Sequence, residues 1–256
     1  MNDLRLTFPP QKTAFSNNNI DATLSILGDQ RSRNFLQQHH TLLSNGAYIN
    51  NFSQINGTND CYQHPDVKVE PQDKIISINP MLGRPLRQFV TMSNHQCQIH
   101  CFEENPLLYS QLCKNIVNWE IEKHVVPVCN AVHSNTGIVL VDNQGACGYY
   151  NNETLVALSA ANRKDLNQAA YAFSLDDYIA QTGFNPTMIE CSRPGMAEHI
   201  LKGGQNSLKQ TLPKLLLAAS PYSDIARQIK QLSQDYRIYY SESGRRSFGI
   251  FFAKCV

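Results

Sequence analysis

Residues 75–83 read Ile-Ile-Ser-Ile-Asn-Pro-Met-Leu-Gly, and the preceding Pro-Gln-Asp at 71–73 turns the chain into them. After this stretch comes a helix-like segment with Leu86, Phe89 and Val90. A short apolar run that ends in a Gly-containing turn and passes into a helix is typical of the first strand and ligand loop of an open α/β sheet. Because central parallel strands are covered on both faces, residues 75–78 are predicted to be buried on both sides.

The turn after this strand contains Asn79, Pro80 and Met81. A nucleotide-type loop favours small residues with free backbone N–H groups, and proline has no N–H to offer. Asparagine tolerates a left-handed turn, but a residue before proline is pushed toward extended backbone. The sequence therefore predicts a loop that departs from the nucleotide-binding shape.

Composition limits the possible partners. The chain has 256 residues, a formal net charge of +1 and 17% charged residues, so it lacks the basic surface that nucleic acid requires. No apolar run approaches the roughly 18 residues of a membrane span, and residues 1–11 lack the pattern of a signal peptide. We expect a cytoplasmic protein with no membrane span and no nucleic-acid partner, whose eight scattered cysteines are reduced.

Three regions are predicted along the chain. Residues 1–19 are rich in Asn, Gln and Pro, which indicates a flexible N-terminal arm. Residues 20–66 form a helical extension, with two helices separated near Gly28 and ended by Asn45 and Gly46. Adjacent His39 and His40 are interpreted as solvated side chains. Residues 67–256 form an α/β domain.

The domain combines strands and helices in an alternating order. Strands are predicted at 67–69 (an edge), 75–78, 98–102, 125–132, 138–141, 187–191 and 215–220, with a hairpin of 236–240 and 249–253. Helices are predicted after Pro106, after Ser174, and over 196–208 and 225–232. This order predicts an α/β fold with a mostly parallel twisted sheet and an antiparallel C-terminal edge.

Several segments together resemble the FkbM-type methyltransferases, which use S-adenosylmethionine on the Rossmann-like methyltransferase fold. The resemblance runs from about residue 67 to the C-terminus. It rests on these stretches: Val-Lys-Val-Glu-Pro-Gln-Asp at 67–73, Cys-Phe-Glu-Glu-Asn-Pro at 101–106, Ser-Leu-Asp-Asp-Tyr at 174–178, Leu-Lys-Gly at 201–203 and Pro-Lys-Leu at 213–215.

The family motifs are altered in this chain. The family strand ends Asp-x-Gly-Ala-Asn-x-Gly, and those places hold Ser77, Asn79, Pro80, Met81 and Gly83. The family motif Lys-x-Asp-x-Glu-Gly falls on Glu190, Ser192, Pro194 and Gly195, and its Tyr-His and Arg-His pairs become Tyr222-Ser223 and Ser241-Glu242. With these ionisable groups replaced, we predict no catalytic residue.

The resemblance implies three cofactor-binding residues, which are Asn79, Gly83 and Glu103. At the end of the second strand, the Glu103 carboxylate could accept both ribose hydroxyls of S-adenosylmethionine, or it could be a partner of the dipole of the following helix. S-adenosylmethionine is accordingly the cofactor expected, if the chain binds one.

Two other clusters are weaker candidates. His95, Cys97, His100 and Cys101 have the residue types of a metal site, but on a strand they point to both faces, so no metal site is predicted. A nucleophile and base at Ser192 and His199 would need an elbow motif that is missing.

Two functions remain open from the sequence. One is a catalytically degenerate FkbM-like protein that acts as a structural or regulatory subunit, with a protein partner or as a homo-oligomer through the arm and residues 145–150. The other is an active S-adenosylmethionine-dependent O-methyltransferase acting on a hydroxyl or carboxyl of a sugar, lipid or natural product.

Overall fold

The computed structural model describes residues 17–44, 64–141, 147–149, 168–242 and 248–256. Its main sheet is built from β1 (Lys74–Ile78), β2 (Gln98–Phe102), β3 (Val125–Val128), β8 (Met188–Cys191), β9 (Lys214–Ala219), β10 (Tyr236–Glu242) and β11 (Gly249–Cys255), numbered in chain order. The spatial order is β10-β11-β9-β8-β1-β2-β3. Strands β9, β8, β1, β2 and β3 are parallel, and β11 and β10 pair antiparallel. The predicted fold class is confirmed.

Strand β1 lies in the middle of this sheet and is buried on both faces, as predicted. Ile75 packs in one core cluster, whereas Ile76 and Ile78 pack in the other. Alternating side chains of a strand point to opposite faces, so one short run of isoleucines joins the two cores.

A second sheet contains β4 (Ala131–Val132), β5 (Gly137–Val141), β6 (Cys147–Tyr149) and β7 (Gln168–Phe173), in the order β4-β7-β5-β6. The single strand predicted over 125–132 is therefore wrong, because β3 and β4 belong to different sheets. Asn130 lies between them, and its side-chain amide donates to the carbonyl of Tyr171 on β7 at 3.2 Å. The strand predicted at 138–141 exists as β5, but it belongs to this second sheet.

The helices are α1 (Asn17–Ile26), α2 (Gln30–Ser44), α3 (Arg84–Met92), α4 (Pro106–Asn118), α5 (Leu175–Thr182), α6 (Ala197–Gly203), α7 (Gln205–Thr211) and α8 (Ile225–Leu232). Ser174 caps α5 by accepting from Asp177 N, and Gly183 ends it at φ 68°, as the sequence predicted. The helical periodicity over 196–208 is interrupted in sequence by the glycines at 203 and 204, and the structure divides this region at Gly204 into α6 and α7. In the part of the chain that the structure describes, no helix is long and apolar enough to cross a bilayer.

Helix α2 packs on strand β10, and the turn between α1 and α2 bonds to the same strand. Gly28 N donates to Ile238 O at 2.7 Å, and Tyr240 N donates to Ser32 Oγ at 3.0 Å. His39 is buried, and its Nδ1 lies 2.7 Å from Tyr240 Oη. The interpretation of His39 as a solvated side chain is therefore wrong: the ring faces a sheet that is far away in sequence.

A buried ion pair closes the amino-terminal end of the main sheet. Lys214 Nζ lies 2.6 Å from Asp73 Oδ2 and 3.0 Å from Glu70 Oε2, and it donates to Lys68 O at 2.9 Å. Thr187 Oγ1 donates to the other Asp73 oxygen at 2.6 Å. These contacts join the entry to β1, the entry to β8 and the first residue of β9.

The edge strand predicted at Val67 and Val69 is not formed. Both side chains are buried, but the backbone makes only an isolated antiparallel bridge between His64 and Val67. The alternation of apolar residues indicates burial here but not strand pairing, because a valine can be buried in a turn as well as in a strand.

Candidate functional site

The candidate site, called the cleft here, is the region at the carboxyl ends of β1, β2 and β8. It is built from residues 79–83 after β1, residues 103–104 after β2 and residues 192–195 after β8. Strand β1 has β2 on one side and β8 on the other, so the chain order reverses here. Ligands of open α/β sheets bind at such a switch point, outside the carboxyl ends of the strands.

The loop after β1 is held in a left-handed conformation. Asn79 has φ 53° and Met81 has φ 55°, so Asn79 adopts the left-handed turn that asparagine tolerates and not the extended backbone favoured before Pro80. The backbone N–H of Asn79 donates to Phe102 O at 2.8 Å, and its side-chain amide donates to Glu104. These two bonds offset the local preference for extended backbone before proline. Asparagine is also among the residues that best tolerate positive φ.

Gly83 begins helix α3 at φ 87°. A Cβ atom at this position would lie 2.7 Å from Leu112 Cδ1 and 3.2 Å from Trp119 Cζ3. The glycine is therefore required both by its backbone conformation and by the packing of the loop on α4. This packing is a sufficient reason for Gly83 whether or not a ligand lies against it.

Glu103 lies at the carboxyl end of β2, with 2% of its surface exposed. Its Oε1 accepts from Asn105 N at 3.1 Å, and the backbone N–H of Met81 also bonds to the carboxylate. Burial, helped by the neighbouring Glu104, raises the pKa of Glu103 to about 7. The structure thus brings Asn79 and Glu103, two of the three residues named from sequence, to the same cleft.

Glu104 is the residue that sequence reasoning missed. It is 4% exposed, and Arg193 Nη1 lies 2.7 Å from its Oε1, while Asn79 donates to its Oε2. This Asn79–Glu104–Arg193 network bridges all three loops of the cleft. The signal in the sequence was the second acid beside Glu103, but its partner Arg193 lies 89 positions away.

Glu190 and Ser77 face each other in the register of β1 and β8. Ser77 Oγ donates to Glu190 Oε2 at 2.6 Å, and Ser192 donates to Oε1. Burial raises the pKa of Glu190 to about 6, and the two hydroxyls oppose that shift. Both carboxylate oxygens are therefore engaged inside the protein.

The alternative nucleophile and base do not come together. Ser192 bonds to Glu190, whereas the ring of His199 stacks on His133 at a centroid distance of 4.0 Å. The ligand-rich group in β2 does not converge either. The ring of His100 stacks on Phe184 at a centroid distance of 3.7 Å, and its Nδ1 lies 2.7 Å from Tyr178 Oη. Cys101 is instead buried in the core cluster on the opposite face of the sheet.

Replacing Glu103 by glutamine is expected to stabilise the protein only above acidic pH. Because the folded-state pKa is about 7 against an ordinary 4.5, wild-type stability falls as pH rises from about 4.5 to about 7. Glutamine stays neutral, so the variant should exceed wild type at pH 8 by on the order of 1–3 kcal/mol, and match it at pH 4. Urea denaturation at the two pH values checks this. The same difference at both values would mean that Glu103 ionises without penalty.

No protein-family model matches the sequence, and no curated protein matches it. Among solved structures, the FkbM methyltransferase of Methylobacillus flagellatus KT matches over 92% of this chain, with a TM-score of 0.67 and 14% sequence identity. This chain covers 58% of the length of that protein.

Other solved structures match at lower TM-scores. Fibrillarin of Aeropyrum pernix, solved with natively bound S-adenosyl-L-methionine, has a TM-score of 0.45 and 9% identity over 76% of this chain and 70% of that one. Precorrin-6y C5,15-methyltransferase of Geobacter metallireducens has a TM-score of 0.42 and 11% identity, over 74% of this chain and 83% of that one.

The likeness to the FkbM structure, together with the order of the main sheet, defines the fold. The chain is an α/β protein with the Rossmann-like methyltransferase fold, and the FkbM structure is a neighbour of it. At 14% identity the likeness is one of architecture. The chemistry of the cleft has to be argued from the residues in it.

Proposed function

We propose that this chain is a catalytically degenerate FkbM-like protein that acts as a structural or regulatory subunit, not as an enzyme. The observation that carries the proposal is the Asn79–Glu104–Arg193 network. In this network, the polar groups of the cofactor loop bond to other groups of the protein. A ligand that needed these groups would first have to break a buried, charge-assisted ion pair.

The altered motifs support the same proposal. By resemblance, the family has an aspartate at the place of Ser77 and a lysine at that of Glu190, and the register of β1 and β8 puts these positions side by side. In this chain, the facing acid and base are replaced by a hydroxyl and an acid, Ser77 and Glu190, which are hydrogen-bonded to each other. Such a paired exchange keeps the strand contact while removing the acid–base pair that the resemblance implies for the family.

The cofactor residues fit S-adenosylmethionine incompletely. Asn79, Gly83 and Glu103 are the residues that would contact it. Gly83, however, is explained by packing, and the Asn79 amide is bonded to Glu104. The Glu103 carboxylate already accepts from the backbone of Asn105. We therefore infer weak cofactor binding at most.

The alternative function is an active O-methyltransferase that uses S-adenosylmethionine on a sugar, lipid or natural product. Glu103 favours it, because a buried carboxylate at the end of β2 is where the family binds ribose. This activity would need the loop at 79–83 to open and Arg193 to leave Glu104. A cytoplasmic location and the absence of a nucleic-acid partner stay predictions under either function.

Calorimetric titration with S-adenosylmethionine distinguishes the two functions. We expect no heat of binding, or an affinity no tighter than roughly millimolar, which is about 4 kcal/mol. Glu103→Ala should leave this result unchanged. Micromolar binding that Glu103→Ala abolishes would sink the degenerate proposal and establish the enzyme.

A subunit role also requires a partner. Size-exclusion chromatography with light scattering, together with pull-down from the native cell, should give a homo-oligomer or a co-purifying protein. A strict monomer with no companion would count against the role. Of the arm predicted at residues 1–19, residues 17–19 belong to α1, so the flexible segment predicted there is too long. Residues 1–16 and Tyr150 lie outside the described residues, so their part in such contacts stays a prediction.

A further inference from the structure

Far from the cleft, side chains of metal-ligand type converge where the helical pair α1–α2 meets the sheet. One ligand atom each from Asp29, His64 and Asp66 lies within 4.8 Å of the other two. We propose that this Asp-His-Asp cluster binds a divalent transition-metal ion such as Zn²⁺. The ion would stabilise the packing of the helical pair against the sheet.

The first two ligands are held in place by the fold. Asp29 Oδ1 accepts from Ser32 N at 2.6 Å, which leaves Oδ2 at 3.8 Å from His64 Nε2. The His64 ring stacks on Tyr239 at a centroid distance of 4.2 Å. A fixed carboxylate and a fixed ring lower the conformational entropy lost when an ion binds.

The third ligand can move. Asp66 Oδ2 lies 3.9 Å from His64 Nδ1, and its side chain is 60% exposed, so it can rotate toward an ion. Coordination through Nε2 places the ring proton on Nδ1. The 3.2 Å bond from Asp66 N to Nδ1 is then lost, which frees this turn to bring the Asp66 carboxylate closer.

The separations fit an ion better than a direct contact. At 3.8 and 3.9 Å, neither carboxylate is hydrogen-bonded to the ring. Ligands bonded to Zn²⁺ at about 2.0–2.2 Å in tetrahedral geometry lie roughly 3.3–3.6 Å apart. The 3.9 Å from Asp66 Oδ2 is measured to Nδ1, so it is not a separation between two ligands of an ion bound to Nε2. The three ligand atoms lie within 4.8 Å of one another, so a closure of up to roughly 1.5 Å, by rotation of the exposed Asp66 side chain, completes three ligands, with water as the fourth.

The donor set favours a transition metal. His64 offers an imidazole nitrogen, and Asp29 and Asp66 offer carboxylate oxygens. One imidazole nitrogen with two carboxylates suits Zn²⁺ better than Mg²⁺, which prefers oxygen ligands and water.

The ion would join two separate parts of the chain directly, and a third, β10, through the stacking of His64 on Tyr239. Asp29 lies between α1 and α2, residues 64–66 precede β1, and Tyr239 belongs to β10. These parts already meet through the bond from Gly28 to Ile238. We therefore expect the ion to act on stability and not on the chemistry of the cleft.

Titration of the chelator-treated full chain with Zn²⁺ tests the proposal. We expect one equivalent to bind with micromolar affinity or better, and saturation near a hundred times Kd to raise Tm by about 5–10 °C. Mg²⁺ should produce neither effect. Absence of a 1:1 Zn²⁺ isotherm would overturn the proposal.

Variants separate this site from the cysteines, which also bind Zn²⁺. His64→Gln, Asp29→Asn and Asp66→Asn should each weaken binding at least tenfold, whereas the control Asp21→Asn, an exposed carboxylate of α1, should not. Asp29→Asn keeps the cap of α2, because asparagine caps as well as aspartate. Asp66 is exposed, so its variant should fold even if His64→Gln does not. Equal affinity in wild type, Asp29→Asn and Asp66→Asn would assign the Zn²⁺ to thiols and refute the site.

Discussion

Replacing Lys214 by methionine is expected to lower the free energy of unfolding by about 3–5 kcal/mol. The variant keeps most of the side-chain length but removes the cation, and Asp73 is then left as a buried charge with 6% of its surface exposed. Thr187 still donates to Asp73, but a hydroxyl does not neutralise it. Urea denaturation at neutral pH measures the loss.

Lys74→Met is the matched control. Lys74 is exposed at the start of β1, so the same substitution there should change stability by less than about 0.5 kcal/mol. The double variant Lys214→Met/Asp73→Asn should be less damaged than the sum of its single changes, since it leaves no buried charge. A Lys214→Met variant as stable as Lys74→Met would mean that the pair is hydrated and not buried.

Truncating Ile76 to alanine is expected to cost about 2–5 kcal/mol. Ile76 is fully buried in the centre of the sheet, where the cavity left by the lost atoms is surrounded by two neighbouring strands and cannot easily collapse. A shift in the urea midpoint at an unchanged slope would report this loss.

Ile138→Ala serves as the comparison, because Ile138 on β5 is 44% exposed and loses less burial on truncation. It should cost less than about 1 kcal/mol. Equal losses at the two positions would contradict the assignment of β1 as a central strand.

The main sheet could be predicted because its signals are local. The isoleucines of β1, the Asn105-Pro106 start of α4 and the Ser174 cap of α5 each specify structure within a few residues. The second sheet could not be foreseen. The assignment of β4 and β5 to it depends on pairing with β7, about 30 to 40 positions later, and apolar runs do not encode their partners.

The same limit applies to the cleft. Asn79 and Glu103 could be named because they follow recognisable strands. The conformation of Asn79 could not be predicted, since its left-handed turn is set by bonds to Phe102 and Glu104 and not by the proline after it. Likewise, the burial of His39 depends on Tyr240, which lies 201 positions away.

The two edges of the main sheet have a consequence for aggregation. On one side, the chain around Gly28 and Ser32 already bonds to β10, and Leu27 forms a parallel bridge with Ile238. On the other side, β3 contains Pro127, which has no N–H to offer to a further strand. Open edges are templates for fibril growth and strand exchange. In the described part of the chain both edges of the main sheet are blocked, so a binding partner is not expected to add a strand to this sheet.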